Sequence, residues 1–200
     1  MLKKSQKFYL VIKRCVDIFG SVIGLIVLSI PLLITAIITK LTSKGPVLFK
    51  QERVGKNEVP FKLYKFRSMK VGTAEIAPEN LTEEEQKDMT TKWGRFMRKT
   101  SLDEFPQLFN ILGGSMSFVG PRPCTDKETE LIEARKSAEI SPYLIKPGLS
   151  GYAQIYLRRN HDHDKKAEYD SYYVKHLSLW LDIKIFFMSF LVMFGLYKGR

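Results

Sequence analysis

The chain has 200 residues, 44% of them hydrophobic and 26% charged, which fits one folded unit and excludes disordered and collagen-like classes. Its two cysteines, Cys15 and Cys124, stand too far apart for a metal or redox motif and exclude a disulfide scaffold. The net charge of +11 sits at one end: residues 1–70 carry 14 Lys/Arg against Asp17, Glu52 and Glu58, and the rest of the chain balances. That positive end surrounds the most apolar stretch, which points to an anionic membrane surface ahead of nucleic acid.

Ile18–Thr39 is an uncharged run of 22 residues. As one straight helix it reaches about 33 Å at about 1.5 Å per residue, enough to span a bilayer core. No small-residue cleavage site follows, so the run does not read as a signal peptide. Pro31 lies in its middle, removes a backbone hydrogen bond and predicts a kink. Both flanks are basic: Lys3, Lys4, Lys7, Lys13 and Arg14 precede the run, and Lys40, Lys44, Lys50, Arg53 and Lys56 follow it. The positive-inside rule therefore gives no direction of crossing. A bent helix entering and leaving by the cytoplasmic face satisfies both flanks; an ordinary transmembrane anchor is the alternative.

Val47–Met69 alternates as two strands about a turn at Lys56-Asn57-Glu58. Thr82–Lys99 is polar and predicted helical. A second helix is expected over Asp103–Leu112, stopped by Gly113-Gly114, and a third over Thr125–Glu139. Pro147–Gly151 reads as a turn, and Ala167–His176 is amphipathic and rich in tyrosine. In Leu177–Tyr197 the charges Asp182 and Lys184 leave only Ile185–Tyr197 as clean apolar sequence, too short to span. It reads as an interfacial helix beside the first one, with a plain core helix as the alternative.

The segment RFMRKTSLDEFPQLFNILGG places the adjacent carboxylates Asp103 and Glu104 after Arg95, Arg98 and Lys99. One reading is structural, a capping box Ser101-x-x-Glu104. Pro106 weighs against it, because it would then need an N–H in the fifth helical position. A helix starting near Asp103 puts Pro106 in the first turn, and both carboxylates at the positive helix end beside basic residues. That setting favours ionised carboxylates, able to act as a nucleophile or to hold a metal.

Three fragments have the chemistry to hold phosphate. Gly120-Pro121-Arg122-Pro123 restricts the backbone around an arginine fork. Pro147–Gly151 could present backbone N–H groups, and LYKFRS places Lys65 and Arg67 on one strand face. Each is also compatible with ordinary surface, as is Arg158-Arg159. His161 and His163, alternating with Asp162 and Asp164, have no evident distant partners and do not read as a metal site.

In order, KRCVDI, the apolar run with Pro31, GPVLFKQERVG, FKLYKFRSM, SLDEFPQLFNIL, MSFVGPRP, KPGLSGYAQ and YDSYYVKH resemble the bacterial sugar transferases, small monotopic phosphoglycosyl transferases acting on polyprenol phosphate. The resemblance covers residues from about 8 to 190. It implies a mostly α, α/β fold: a proline-broken re-entrant helix with its basic flanks over 1–45, and a catalytic domain over 46–200 with a short hairpin and interfacial helices. It implies the cytoplasmic face of the inner membrane, and transfer of a sugar 1-phosphate from a UDP-sugar to undecaprenyl phosphate with release of UMP. Such a reaction starts a surface glycan or glycoconjugate and hands its product to downstream glycosyltransferases. In the family the aspartate of the Asp-Glu pair forms a covalent phosphosugar intermediate. Carried over, Asp103 is the nucleophile, Asp103 and Glu104 hold Mg²⁺, and Lys65, Arg98, Arg122, Arg158, Pro121, Pro123 and Gln154 bind substrate.

The sequence departs from the family pattern at three places. Ile30 precedes Pro31 where serine is common, with Ser29 one place earlier, which bears on how the bend is closed. Ser115 replaces an acidic residue before Met-Ser, and Tyr156-Leu157 replaces Asn-Gly; both bear on the sugar and nucleotide pocket. Larger members carry extra transmembrane helices and an added N-terminal domain, and this sequence is expected to be the minimal form. A non-catalytic membrane scaffold would explain the basic end but not the ordered polar motifs, and a nucleic-acid binder would explain only the charge.

Overall fold

The computed structural model describes residues 2–70, 84, 88–157, 162–193 and 195–197. The apolar run and the basic segment before it form two helices, α1 (Lys4–Val27) and α2 (Ser29–Thr42), bent by 63°. The break falls at Leu28 (φ −92°, ψ 6°), three residues before Pro31 rather than at the proline. Pro31 has no N–H for the carbonyl of Val27, and its ring crowds that carbonyl, so the ladder opens one turn upstream. Ser29 Oγ donates to Ile26 O at 2.8 Å and closes one loose carbonyl at the bend. Among the described residues no single helix is long and apolar enough to cross a membrane; only the bent pair together has that length and composition.

The polarity of α1 is inverted. Gln6, Lys13, Asp17 and Ser21 are buried against the rest of the chain, while Phe8, Val11, Phe19 and Ile26 lie exposed. Each of these four buried side chains of α1 has a partner. Gln6 Nε2 donates to the carbonyls of Val174 and Lys175, and Asp17 Oδ1 accepts from Ser117 Oγ and the Phe118 N–H. Arg14 donates to the carbonyls of Ile111 and Leu112 at 2.6 and 2.7 Å, and Lys13 pairs with Asp182. Lys13 and Arg14, read from sequence as flanking charges for lipid, are thus used inside the protein.

The expected hairpin forms: β1 (Leu48–Val54) pairs antiparallel with β2 (Pro60–Phe66), with Phe49 opposite Lys65 and Val54 opposite Pro60. Its turn is the 3-10 segment Lys56–Glu58, where Asn57 takes a left-handed conformation (φ 54°) that asparagine tolerates. Of the helix predicted over Thr82–Lys99, residues 82, 83 and 85–87 lie outside the described residues, and Glu84, Asp88 and Met89 are helical. After a break at Thr90 and Thr91, α3 (Lys92–Thr100) follows, capped by Thr91, whose Oγ1 accepts from the Gly94 N–H. The single helix expected over Asp103–Leu112 is divided into a 3-10 turn, Leu102–Glu104, and α4 (Gln107–Gly113), with Pro106 preceding the first helical residue.

Beyond it lie β3 (Ser117–Val119), α5 (Thr129–Ser137), β4 (Gly148–Ser150), α6 (Tyr152–Tyr156), α7 (His163–Lys175) and α8 (Leu179–Met193). The Pro147–Gly151 segment is no open turn: β4 pairs parallel with β3, the Gly120 N–H donates to Ser150 O, and the Gly148 N–H to Pro121 O. The Gly148 N–H is thus spent on the fold and does not face a phosphate. A Cβ on Gly148 would lie 2.1 Å from the Gly120 nitrogen, so only glycine permits this crossing.

The main core gathers Val119, Ile145, Ile155, Tyr173, Val174, Leu177 and Ile185 between β3, α6, α7 and α8. A second cluster, Leu63, Leu108, Ile111 and Met116, ties the hairpin to α4. α8 repeats the inversion of α1. Asp182 is buried, where it accepts from Tyr9 and Tyr173 at 2.7 and 2.6 Å, while Trp180 is 76% and Phe187 64% exposed. The fold is mostly helical with small two-stranded sheets, and one surface of α1, α2 and α8 is apolar.

Candidate active site

The Asp103-Glu104 pair owes its placement to Ser101. This residue ends α3 in the left-handed region (φ 56°), a conformation that costs a non-glycine residue about 1 kcal/mol. The reversal turns the chain from α3 into the 3-10 turn. No capping box forms: the Ser101 side chain caps nothing, and the Glu104 N–H donates instead to the Ser101 carbonyl at 3.1 Å. The Glu104 side chain is left to the site.

Glu104 Oε1 accepts from Lys65 Nζ at 2.8 Å and lies 3.8 Å from Arg122 Nη2. Lys65 is aimed by Asn110, whose side chain donates to Lys62 O at 2.7 Å and accepts from the Tyr64 N–H at 2.9 Å. The amide takes the place of a neighbouring strand along β2 and fixes it to α4. Burial pushes the Glu104 carboxyl up, but Lys65, Arg122 and Arg53 outweigh it and hold the group below the ordinary carboxylate range.

Asp103 is 8% exposed, and its side chain takes no hydrogen bond from another residue among those described. Burial, with Glu104 adding to it, raises its pKa; Lys65 and Arg98 oppose the shift. This corrects the sequence expectation that a helix end would favour both carboxylates in ionised form. The turn lies ahead of α4, and burial decides for Asp103. Arg98 is held by its Nε donating to Ser68 Oγ at 2.9 Å. α3 approaches that closely because of Gly94, where a Cβ would stand 1.9 Å from Ser68 O.

Arg122 is the exposed cation of the group, and the carbonyls of the prolines on either side of it are engaged within the fold. Pro121 O accepts from Gly148 and Pro123 O from Arg53 Nη1 at 3.0 Å. Arg53, read from sequence only as a flanking charge, belongs to the site. Burial and the neighbouring Arg122 both push its pKa down, opposed by Glu128 at 3.7 Å and by Glu104. Two guanidinium groups that repel one another are a receptor for an added anion. The motif GPVLFKQERVG carried this residue, but nothing local distinguished it from the other bases.

Lys65 and Arg67 do not act as a pair. Arg67 is buried and donates to Ser43 O at 2.8 Å. Arg158, like Arg159 and His161, falls outside the described residues; His163 lies 3.6 Å from Glu130.

A cleft of about 590 Å³ opens beside the carboxylates. Ser101, Glu104, Arg122, Gln154, Phe186 and Phe190 are among the residues that line it. Asp103, next to Glu104 in the chain, is not itself a lining residue. Gln154 Oε1 is buried with no hydrogen-bond partner.

Among the described residues no cluster of three or more His, Cys, Asp or Glu could hold a metal by itself. Two adjacent carboxylates still suit Mg²⁺, which binds through one or two carboxylates, substrate phosphates and water. Asp103 takes no hydrogen bond from another described residue, and Lys65 engages only one oxygen of Glu104. The donor set fits that mode.

The bacterial sugar transferase family matches this chain over residues 8–195. A UDP-glucose:undecaprenyl-phosphate glucose-1-phosphate transferase of Klebsiella pneumoniae is 41% identical over 90% of this chain and 39% of its own length. An undecaprenyl-phosphate galactose phosphotransferase of Salmonella typhimurium is 40% identical over 94% of the chain and 41% of its own. A UDP-N-acetylgalactosamine-undecaprenyl-phosphate N-acetylgalactosaminephosphotransferase of Aeromonas hydrophila is 38% identical over 90% and 43%. The chain spans about two fifths of the length of these curated relatives.

Proposed function

Since the chain belongs to the bacterial sugar transferase family, we propose that it transfers a sugar 1-phosphate from a UDP-sugar to undecaprenyl phosphate through a covalent intermediate on Asp103. The observation carrying this reading is the division of labour in the carboxylate pair. Glu104 is neutralised by Lys65 and Arg122, whereas Asp103 is buried, desolvated and takes no hydrogen bond from another described residue, which leaves its carboxylate available as a nucleophile.

A carboxylate oxygen of Asp103 attacks the sugar-linked phosphorus, the bond between the two phosphoryl groups breaks, and UMP departs with the electron pair. An oxygen of undecaprenyl phosphate then attacks the same phosphorus and breaks its bond to Asp103. The carboxylate is restored, and the product is a lipid diphosphate sugar. Arg122 and Arg53 stand where the diphosphate's charge would fall, and Lys65 keeps Glu104 ionised and in place. Asp103 and Glu104 would hold Mg²⁺, which supplies charge neutralisation at the phosphates.

The apolar surface of α1, α2 and α8 supports insertion from the cytoplasmic face, with the bent pair entering and leaving on one side. Three relatives named for three different sugars leave the donor to be identified by assay.

The test is UMP release from a panel of UDP-sugars by the lipid-embedded protein with undecaprenyl phosphate. At least one donor should yield UMP and lipid-linked sugar, and Asp103→Asn should abolish both while the protein stays folded. Activity of Asp103→Asn within tenfold of wild type would refute the nucleophile.

A further inference from the structure

Two cations meet where α1 packs on the end of α4, outside the catalytic cleft. Gly114, which follows α4 with φ 87°, marks the point. A Cβ built there would lie 3.2 Å from Arg14 Nη2 and 3.3 Å from Lys146 Nζ, so both groups converge on one spot. Arg14 is fixed by the carbonyls of Ile111 and Leu112, which carry only the partial charge of a helix end. Lys146, two residues before β4, is half-buried and forms no hydrogen bond or ion pair among the described residues. Burial and Arg14 push its pKa down, Asp17 opposes them, and Lys56 of the hairpin turn adds to the fall.

The neighbouring acids are engaged elsewhere. Asp17 Oδ1 accepts from Ser117 Oγ and the Phe118 N–H, and Glu58 of the hairpin turn pairs with Lys136 at 3.4 Å. Ser115 turns its hydroxyl to Asn110 O at 3.2 Å and supplies no charge. The approach is open: Gly113 is exposed, and a Cβ there would meet nothing within 4 Å. Val11 and Ile18, three residues before Arg14 and four after it on the same side of α1, are 63% and 41% exposed. The two cations therefore border the apolar surface of α1.

We propose that Arg14 and Lys146 form a second phosphate-binding site, whose ligand is a phosphate oxyanion carried by a phospholipid headgroup or free in solution. Like charges held together without a carboxylate between them gain most from a compact anion that offsets their repulsion. Neither residue lines the cleft beside Asp103 and Glu104, so the site goes beyond the reaction proposed above. A bound anion would join α1 to the loop before β4 and should stabilise the fold in proportion to its occupancy.

Thermal unfolding in dodecyl maltoside micelles, followed by tryptophan fluorescence, reads that occupancy without reading turnover. The probes are inorganic phosphate, phosphatidylglycerol and phosphatidylcholine, the lipids at equal mole fraction and the ionic strength held with chloride. They are applied to Arg122→Met, in which the catalytic cleft has lost its exposed cation. Tm should rise saturably. A rise with inorganic phosphate marks a site for a free anion, and a rise with phosphatidylglycerol alone marks a headgroup site. Adding Lys146→Met should weaken binding about tenfold or more, the effect of losing one charged hydrogen bond. Without probe the same change should leave Tm level or higher, because it removes a half-buried cation beside Arg14. Lys146→Glu, which sets a carboxylate against Arg14, should abolish the response. Lys4→Met, an equal loss of charge at the exposed start of α1, should leave binding within twofold. No rise with phosphate or phosphatidylglycerol, an equal rise with phosphatidylcholine, or binding unchanged by Lys146→Met would overturn the site. So would an equal loss in Lys4→Met, which would mark general attraction to the basic end, or a lower probe-free Tm in Lys146→Met, which would mark a structural lysine.

Discussion

Asp170→Ala should be among the most damaging single substitutions away from the reacting atoms. Asp170 of α7 is 1% exposed and Arg135 of α5 is 3% exposed. Burial alone would drive the guanidinium toward neutrality, but Asp170 beside it more than offsets this and keeps it charged. Without Asp170, Arg135 retains only the Cys124 sulfur at 3.6 Å and the ring face of Tyr143 at 5.9 Å. Removing one partner of such a pair costs about 3–5 kcal/mol, because the other charge stays buried. In a chain of this size about 1 kcal/mol moves Tm by roughly 2–4 °C, so a fall of roughly 6–20 °C is expected. Thermal unfolding in one fixed detergent, followed by tryptophan fluorescence, measures it. The double variant Arg135→Met/Asp170→Leu removes both charges, and should lie within about 1 kcal/mol of wild type or above it. A single variant falling by under 2 °C, or a double variant as unstable as the single, would show that the pair is not a desolvated ion pair.

Three further outcomes are expected. Excess chelator should stop turnover and added Mg²⁺ restore it, and full activity in chelator would contradict a role for the metal. The acid limb of kcat/KM, which reports the free enzyme, should lie above the ordinary aspartate range, because burial raises Asp103 and its reactive carboxylate form is lost as pH falls through that raised value. Lys65→Met removes a cation that opposes the shift, so the limb should move further upward in pH; a downward move contradicts the electrostatics. Finally, in a variant lacking Cys15 and Cys124, single cysteines at Ser5 and Lys44 should both resist an impermeant thiol reagent in intact cells and react after lysis. Outside labelling at Ser5 alone would replace the bent, re-entrant pair by a spanning one.

The sequence by itself determined what depends on neighbours along the chain. The uncharged run with its proline specified a broken apolar helix, and Lys56-Asn57-Glu58 between alternating segments specified the hairpin. Asp103-Glu104 ahead of Pro106 marked the candidate chemistry, because carboxylates, charge and turn residues declare themselves within a few positions. Tertiary structure decided the rest. Pro31 acts through the carbonyl four residues back, so the bend falls at Leu28. The phosphate-like turn at Pro147–Gly151 became a strand because β3, some 30 residues earlier, offered its free edge. Arg53 looked like one base among ten until folding set it against Arg122, whereas Lys13 and Arg14 were drawn away from lipid by Asp182 and the end of α4. Which carboxylate of the pair is held ionised, and which is desolvated, was likewise outside local reach. A charge's energy is set by the dielectric and the opposite charges within a few ångströms, and those neighbours come from Lys65, Arg98 and Arg122, brought together only by the fold.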